Sequence, residues 1–330
     1  MKKLIPIGVD KIFALVGISK NSGKTSVLNA ILQDFPQYRW AVLSTGIDGE
    51  ELDALFKTPK PQVSLAAGSL FVCDEESLKG GGSGIRLLGR FEDVGRILYI
   101  ACAERDIKVR ITGPASVRSQ RKIIRILQKE GAEKVLVDGA LDRKSIALDE
   151  GIDALILCIG ASFGALPSIK EEIRRLVIMR DIPLFEGSYY LRRRFAGSDE
   201  LLKCLKGRWF QTGIKSVLGD EDGLQELFAQ GVESLYLPTA LTDAVFENYQ
   251  SQLRHLKSLI IRHPQNLQLS LSNLNKLMKI TRVRSLIPFK IKAFAINSTA
   301  IGAAQPAADE YRSEIRKSFP ELEFIDIMEV

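Results

Sequence analysis

The sequence predicts an α/β chain: a doubly wound, mostly parallel sheet with a β-rich insertion and a second α/β part. Continuous apolar runs at Ile12–Gly17, Lys134–Asp138 and Ala154–Ile159 have the character of strands buried on both faces of a parallel sheet. Next to them lie stretches with apolar residues at helical spacing, such as Val27, Leu28, Ile31 and Leu32. Strand-like and helix-like segments alternate through the first half of the chain, the order that builds parallel βαβ units.

Taken in order, Ile12–Gly17 (IFALVG) is β-branched and aromatic and closes on glycine, as a central strand would. Thr25–Asp34 follows as an amphipathic helix, and Trp40–Thr45 (WAVLST) as a second strand. The stretch 60–113 reads differently. It holds short strand-like segments at Gln62–Leu65, Ser69–Cys73, Ile85–Gly89, Ile97–Ala101 and Lys108–Thr112, and is read as a β-rich insertion or edge sheet. Its glycine-rich Gly80–Gly84 precedes no helix, so it reads as a flexible loop and not as a phosphate cradle.

Helices are expected at Ser116–Glu130 and Ser168–Met179, around the strands Lys134–Asp138 and Ala154–Ile159. Beyond about residue 181, IPLFEG, SLYLP, SLIIR, KIKAFAIN and EFIDIM read as five more strands with helices between them. Small residues at Asn297–Gln305 form a loop before a final helix, Asp309–Phe319. These patterns suggest a nucleotide-binding domain at 1–180 and a C-terminal α/β domain at 181–330 with no assigned role, divided near Arg180–Pro183. No internal repeat is read.

Composition narrows the function classes. The 330 residues are 45% hydrophobic, enough for at least one large core. The net charge of +6 describes a mildly basic surface. Nucleic-acid binding would want a dense basic stripe interleaved with exposed aromatics. The best candidates are Arg118–Arg125 and Leu191–Arg194, and the first reads as the solvated face of an amphipathic helix, so nucleic acid is not expected.

Cys73, Cys102, Cys158 and Cys204 are far apart, without a CxxC, and are expected to be buried and reduced, as in a reducing cytosol. His255 and His263 make no metal-ligand spacing and no Ser/His/Asp relay, and read as surface or core residues. Neither the short apolar region of a signal peptide nor a run of about 18 apolar residues is found. The expectation is a cytoplasmic protein that does not enter a membrane.

The strongest chemical signal is the loop Gly17-Ile-Ser-Lys-Asn-Ser-Gly23-Lys24-Thr25, set between a strand and a helix. A polyphosphate carries dense negative charge, which successive backbone N–H groups and a helix N-terminus can solvate without water. The expected nucleotide-binding residues are Gly17, Ser19, Lys20, Asn21, Ser22, Gly23, Lys24, Thr25 and Ser26. Lys24 would reach the β- and γ-phosphates of ATP, and the Thr25 hydroxyl would ligate Mg²⁺. This makes the expected fold P-loop NTPase-type, although five residues separate the glycines where the common form has four. With no guanine-reading NKxD motif, ATP is preferred over GTP.

A second signal is KVLVDGALDR at 134–143. Its strand ends in Asp138, either as a Walker B acid that holds Mg²⁺ or as the cap of a turn. Asp142 and Arg143 follow, as aids to water, metal or phosphate, or as a surface ion pair. In Ser44–Glu50 (STGIDGE), Asp48 and Glu50 are candidate Mg²⁺-facing carboxylates, and Asp48-Gly49 is equally a turn signal. The site therefore comprises Lys24 and Asp138 as catalytic residues, with Thr25, Asp48 and Asp138 around the metal.

The longer loop is similar to that of the P-loop branch that includes dethiobiotin and cobyrinic acid amide synthetases. Lys20–Thr25 (KNSGKT) is also similar to the loop of molybdopterin-guanine dinucleotide accessory proteins. More specifically, GISKNSGKTSVLN, AVLSTGIDGE and VDGALDRKSIA followed by ALILCIGAS resemble the P-loop subunit of lysine 5,6-aminomutase reactivase across about residues 10–165. The chain departs from that family at Asn297-Ser298, where the family carries Asn-Pro.

The resemblance implies an ATP- and Mg²⁺-dependent weak ATPase that helps exchange damaged cobalamin in an adenosylcobalamin-dependent aminomutase. Its implied partners are a MutS-related ATPase subunit and the aminomutase as client, and an oligomer is compatible with this. Two other readings stand beside it. One is a metabolic ligase or kinase with a substrate pocket lined by Lys60, Arg86 and Arg118; the other is a non-catalytic nucleotide-binding assembly module.

Overall fold

The computed structural model describes residues 8–19, 22–45, 62–80, 82–140, 151–298 and 307–326. The chain forms two compact units, one from residues 1–169 with 290–330 and the other from residues 170–289.

The first unit is built on β1 (Ile12–Gly17), α1 (Lys24–Asp34), β2 (Trp40–Ser44), β3 (Val63–Leu65), β4 (Leu70–Cys73), α2 (Glu75–Gly80), β5 (Ile85–Asp93), β6 (Arg96–Ala103), β7 (Ile107–Val109), α3 (Val117–Lys129), β8 (Lys134–Ala140) and β9 (Ala154–Gly160). Helix α4 (Leu166–Arg180) leads into the second unit, which holds α5 (Tyr189–Ala196), β10 (Leu202–Leu205), β11 (Arg208–Gln211), α6 (Glu221–Ala229), β12 (Ser234–Leu237), β13 (Leu241–Thr242), α7 (Asp243–Leu253), β14 (Ser258–Ile261), β15 (Leu267–Gln268), α8 (Leu271–Ile280) and β16 (Val283–Ser285). The chain then returns to the first unit with β17 (Ile291–Asn297), α9 (Ala308–Ser318) and β18 (Phe324–Asp326).

A nine-stranded sheet, in the order β18-β17-β9-β1-β8-β2-β4-β6-β5, organises the first unit. From β18 to β4 the strands are parallel. Strands β6 and β5 add an antiparallel edge. The all-apolar β9 and the buried run from Phe13 to Gly17 show why these segments read as central strands: no side of them meets water. On one face Phe13 and Leu15 of β1, Leu136 of β8 and Ile156 of β9 pack against Val27, Leu28 and Ile31 of α1. Those three α1 residues, with the partly buried Leu32, are the helical repeat seen in the sequence.

The β-rich stretch is the continuation of this sheet, to which it contributes β4, β5 and β6, while β3 and β7 pair apart from it. Within Gly80–Gly84, Gly82–Gly84 forms a 3₁₀ turn.

Three expectations are corrected. The division falls at 169/170 and not near 180–183, and the C-terminal segment is not all one domain. KIKAFAIN and EFIDIM form β17 and β18, and their main chains hydrogen-bond in register beside β9. IPLFEG does not form a strand; only Leu184 makes an isolated bridge, to Ser285. Pro183 has no N–H to give to a ladder.

In the second unit the sheet order is β11-β10-β12-β14-β16. Strands β12, β14 and β16 are parallel, and β10 runs antiparallel to both neighbours. Two successive strand–short strand–helix elements, β12-β13-α7 and β14-β15-α8, lie side by side, with β13 parallel to β15. Asp243 at the start of α7 ties them together by accepting from Ser270 N at 2.9 Å and Asn273 Nδ2 at 2.8 Å. On one face of the sheet Phe195 stacks on Tyr236 with ring centroids 4.7 Å apart and meets Trp209 edge-on, also at 4.7 Å. All four cysteines are free and buried.

Candidate functional site

Strand β1 lies between β9 and β8, so its carboxyl end emerges mid-sheet. From β1 the chain passes through α1 to β2 on the β8 side; from β8 it crosses past β1 to β9. The connections diverge at the end of β1, and in open α/β sheets such a divergence opens a crevice over the carboxyl ends of the strands.

The chain leaves β1 at Gly17, and Ile18 N donates to Cys158 O at 3.1 Å. It comes back at Ser22 and enters α1 through Gly23, whose φ of 85° lies in the left-handed region that glycine occupies without a steric cost. Gly17 is enclosed by this return. A Cβ there would lie 2.2 Å from Ser22 Oγ and 3.2 Å from Cγ and Cδ of Lys24. The lysine stem therefore runs close over the end of β1.

The start of α1 is open to an anion. Among the described residues no side chain caps it through Gly23, and its first turn holds no acidic residue. By contrast, Ser116 caps α3 by accepting from Ser119 N at 3.1 Å, and Asp220 caps α6 by accepting from Gly223 N at 3.1 Å. The first N–H groups of a helix have no intrahelical acceptor and carry the positive end of its dipole. Ser22, only 2% exposed, has a hydroxyl with no hydrogen-bond partner among the described residues.

Asp138 sits in β8 level with Leu15 of β1 on one side and Ser44 of β2 on the other. By the two-residue period of a strand it shares the face of Leu136, which is the face covered by α1. Burial, more than any other cause, pushes the Cys158 thiol up to about 12; the Lys24 ammonium pulls the other way, and the Asp138 carboxylate adds to the rise. Cys158 lies on β9, level with Gly17 of β1.

One support was not singled out in the sequence. Thr112–Gly113 crosses directly over the end of β2, with Ser44 N donating to Thr112 O at 3.0 Å. A Cβ on Gly113 would overlap the Ser44 carbonyl, at 1.6 Å. Arg96 donates to Gly113 O, and Ala115 N donates to Asp93 Oδ2 at 2.7 Å, so the turn of the β5–β6 hairpin holds the crossing down. Thr45 N then donates to Asp138 O at 2.7 Å, which links β2 to β8 at the same level. The Gly113-Pro114 pair is the sequence trace of this crossing, but nothing local shows what it crosses.

The structure brings together Gly17, Ser19, Ser22, Gly23, Lys24, Thr25 and Ser26 at the end of β1 and start of α1, with Asp138 on the adjacent strand. Thr25 is partly buried and Ser26 is exposed. Lys20, Asn21, Asp48, Glu50, Lys60, Asp142 and Arg143 lie outside the described residues.

Arg86 is corrected as a candidate pocket residue. It lies on β5 at the sheet edge, five strands from β1 and so roughly 24 Å away, and it pairs with Glu104 at 3.3 Å. Arg118 is exposed in the first turn of α3. A groove of about 840 Å³ lies at the amino end of β2, lined by residues such as Tyr38, Arg39 and Lys108, and is remote from the loop.

These residues fit a Mg²⁺-bound polyphosphate. The cradle is a glycine position that a Cβ would fill, the helix start supplies N–H donors, and the buried Ser22 hydroxyl lies against Gly17. Among the described residues no group of three or more His, Cys, Asp or Glu gathers to hold a metal. A Mg²⁺ ion here would depend on phosphate and water oxygens beside Thr25 and Asp138, the usual arrangement for this ion. No family model matches the chain, and no curated protein matches it.

Proposed function

We propose that the chain is a P-loop NTPase-type protein that binds ATP with Mg²⁺ at Gly17–Thr25 and uses nucleotide turnover to drive cofactor exchange in an adenosylcobalamin-dependent aminomutase. The observation that carries the nucleotide reading is the start of α1, entered through left-handed Gly23 with Ser22 and Lys24 close over Gly17, and with Asp138 on the neighbouring strand. Main-chain N–H groups of the loop and of the first turn of α1 hold the phosphates. Lys24 neutralises their charge, Thr25 offers a hydroxyl to the metal, and Asp138 holds metal or its water from the side of β8. ATP supplies the free energy of phosphoryl transfer to water.

The client reading, lysine 5,6-aminomutase with a MutS-related ATPase partner, rests on the sequence resemblance at residues 10–165. No helix among the described residues is long and apolar enough to cross a membrane. The alternative of a small-molecule ligase loses one of its three proposed pocket cations with the placement of Arg86.

The test is calorimetric titration with ATP–Mg²⁺. Lys24→Ala should weaken binding by at least about tenfold, since charge-assisted hydrogen bonds contribute on the order of 1.5–3 kcal/mol. Equal affinity in parent and variant would remove the loop from the site. For the client, ATP-dependent recovery of an inactivated lysine 5,6-aminomutase, present with the chain and lost with Lys24→Ala, is the expected result.

A further inference from the structure

Residues 187–219 carry seven lysine and arginine side chains against two acidic ones, Asp199 and Glu200. That local charge of +5 accounts for nearly all of the net +6 of the chain. Both acids are engaged: Glu200 accepts from Gly213 N at 2.7 Å, and Asp199 lies 3.9 Å from Lys215.

The segment is tied to the sheet at several points. Ser188 caps α5 by accepting from Leu191 N at 3.3 Å. Phe195 anchors the helix on the sheet between Phe185, Tyr236 and Trp209. Arg194 Nη1 donates to Trp209 O at 3.0 Å and so joins the helix to β11, an edge strand. With Phe195 inward, Arg192 and Arg193 are exposed and Tyr189 and Tyr190 are 70% and 83% exposed. On β11, Trp209 faces Phe195, so the strand period turns exposed Arg208 and 43%-exposed Phe210 to the other side of the sheet. Exposed aromatic rings and guanidinium groups thus lie on α5 on one side of the sheet and on edge strand β11 on the other.

We propose that the α5–β11 edge is a docking surface for an acidic segment of a partner protein. Tyrosine and arginine on a fixed scaffold are the residues that anchor protein interfaces, and a guanidinium fork pairs with a carboxylate through two parallel hydrogen bonds. A second copy of the chain is a poor occupant, because like charges would meet. Single-stranded nucleic acid is the other polyanion. It needs a track of cations beside aligned ring faces. Here Arg192, Arg193 and Arg194 are successive helical residues pointing about 100° apart. The Tyr189 and Tyr190 rings stand at 75° to each other. The surface suits carboxylates interspersed with apolar side chains. It lies wholly in the second unit and does not depend on the nucleotide reading.

The experiment uses the full chain and three fluorescent probes: a 20-residue peptide of Glu and Leu with one Phe, the same peptide with Gln for Glu, and a 20-nucleotide oligo(dT). Anisotropy should show the acidic peptide binding, with affinity falling as salt rises, and the Gln peptide failing to bind. Arg192→Glu combined with Arg193→Glu and Arg208→Glu should weaken the acidic peptide by at least about tenfold. Tyr189→Ser with Tyr190→Ser, both at exposed positions, should weaken it as well while circular dichroism stays unchanged. Failure of the acidic peptide to bind, equal binding by the charge-reversed chain, or tighter binding of the oligonucleotide would overturn the proposal.

Discussion

Asp138 stands level with Leu15 across the β1–β8 pair, two residues before the level of Gly17 and Ala140. The carboxylate is thus set by strand register, two residues below the point where the loop departs. Asp138→Asn keeps the shape and removes the charge. ATP binding without Mg²⁺ should be retained, and the gain in affinity on adding Mg²⁺ should fall by about tenfold, as expected for the loss of a charged partner of a cation. Calorimetry with and without the metal checks this; an undiminished Mg²⁺ effect would exclude Asp138 from the site.

Gly17→Ala and Gly23→Ala should act differently. The first places a methyl group 2.2 Å from Ser22 Oγ, so the loop must shift. The second forces alanine to a φ of 85°, at a cost of roughly 1–2 kcal/mol. Both should abolish measurable ATP binding. Thermal unfolding should detect only the modest loss at Gly23, and a variant of either that binds ATP normally would refute the cradle geometry.

Phe195→Ala should destabilise the second unit by about 3–5 kcal/mol, the usual range for emptying a buried phenylalanine site. The chain has two tryptophans, Trp40 in the first unit and Trp209 against Phe195 in the second. In a Trp40→Phe background, urea unfolding followed by Trp209 emission should show the midpoint move.

His263 gives a pH signature. Burial lowers its pKa from 6.5 to about 4, and its Nδ1 accepts from Gln265 N at 3.1 Å. The unfolded chain therefore binds the proton first. The stabilising effect of the neutral ring is complete above about pH 6.5 and is lost as the pH falls toward 4, by up to about 3 kcal/mol. His263→Asn can still cap Gln265 and does not titrate. Its unfolding free energy, read from Trp209 in the Trp40→Phe background, should be flatter across that range. Parallel slopes would remove His263 as the titrating group.

The parts of this fold that could be read from the sequence are those whose residues have one kind of surroundings. Strands β1, β8 and β9 are apolar throughout because they are covered on both faces, and the pairing of Gly17 with Gly23 shows locally where the chain must turn tightly. The β10–β11 hairpin escaped because its turn is Lys206-Gly207, with φ of 47° and 74°, and lysine seldom takes that conformation. Strand β16 is three residues long and has an arginine in its centre. The sheet to which KIKAFAIN belongs could not be read at all, since its apolar face would suit either unit. Only pairing with β9 decides it. At the candidate site, the loop and Asp138 stand out in the sequence as motifs; the Arg96-held crossing at Gly113 does not, because its partners are distant in sequence.

The second unit leaves the chain after β9 and ends just before β17, two strands that hydrogen-bond to each other. During synthesis, residues 170–289 are therefore complete before the ribosome delivers β17 and β18. The later-numbered unit can reach its native state first, while β9 waits with one edge open to foreign strands.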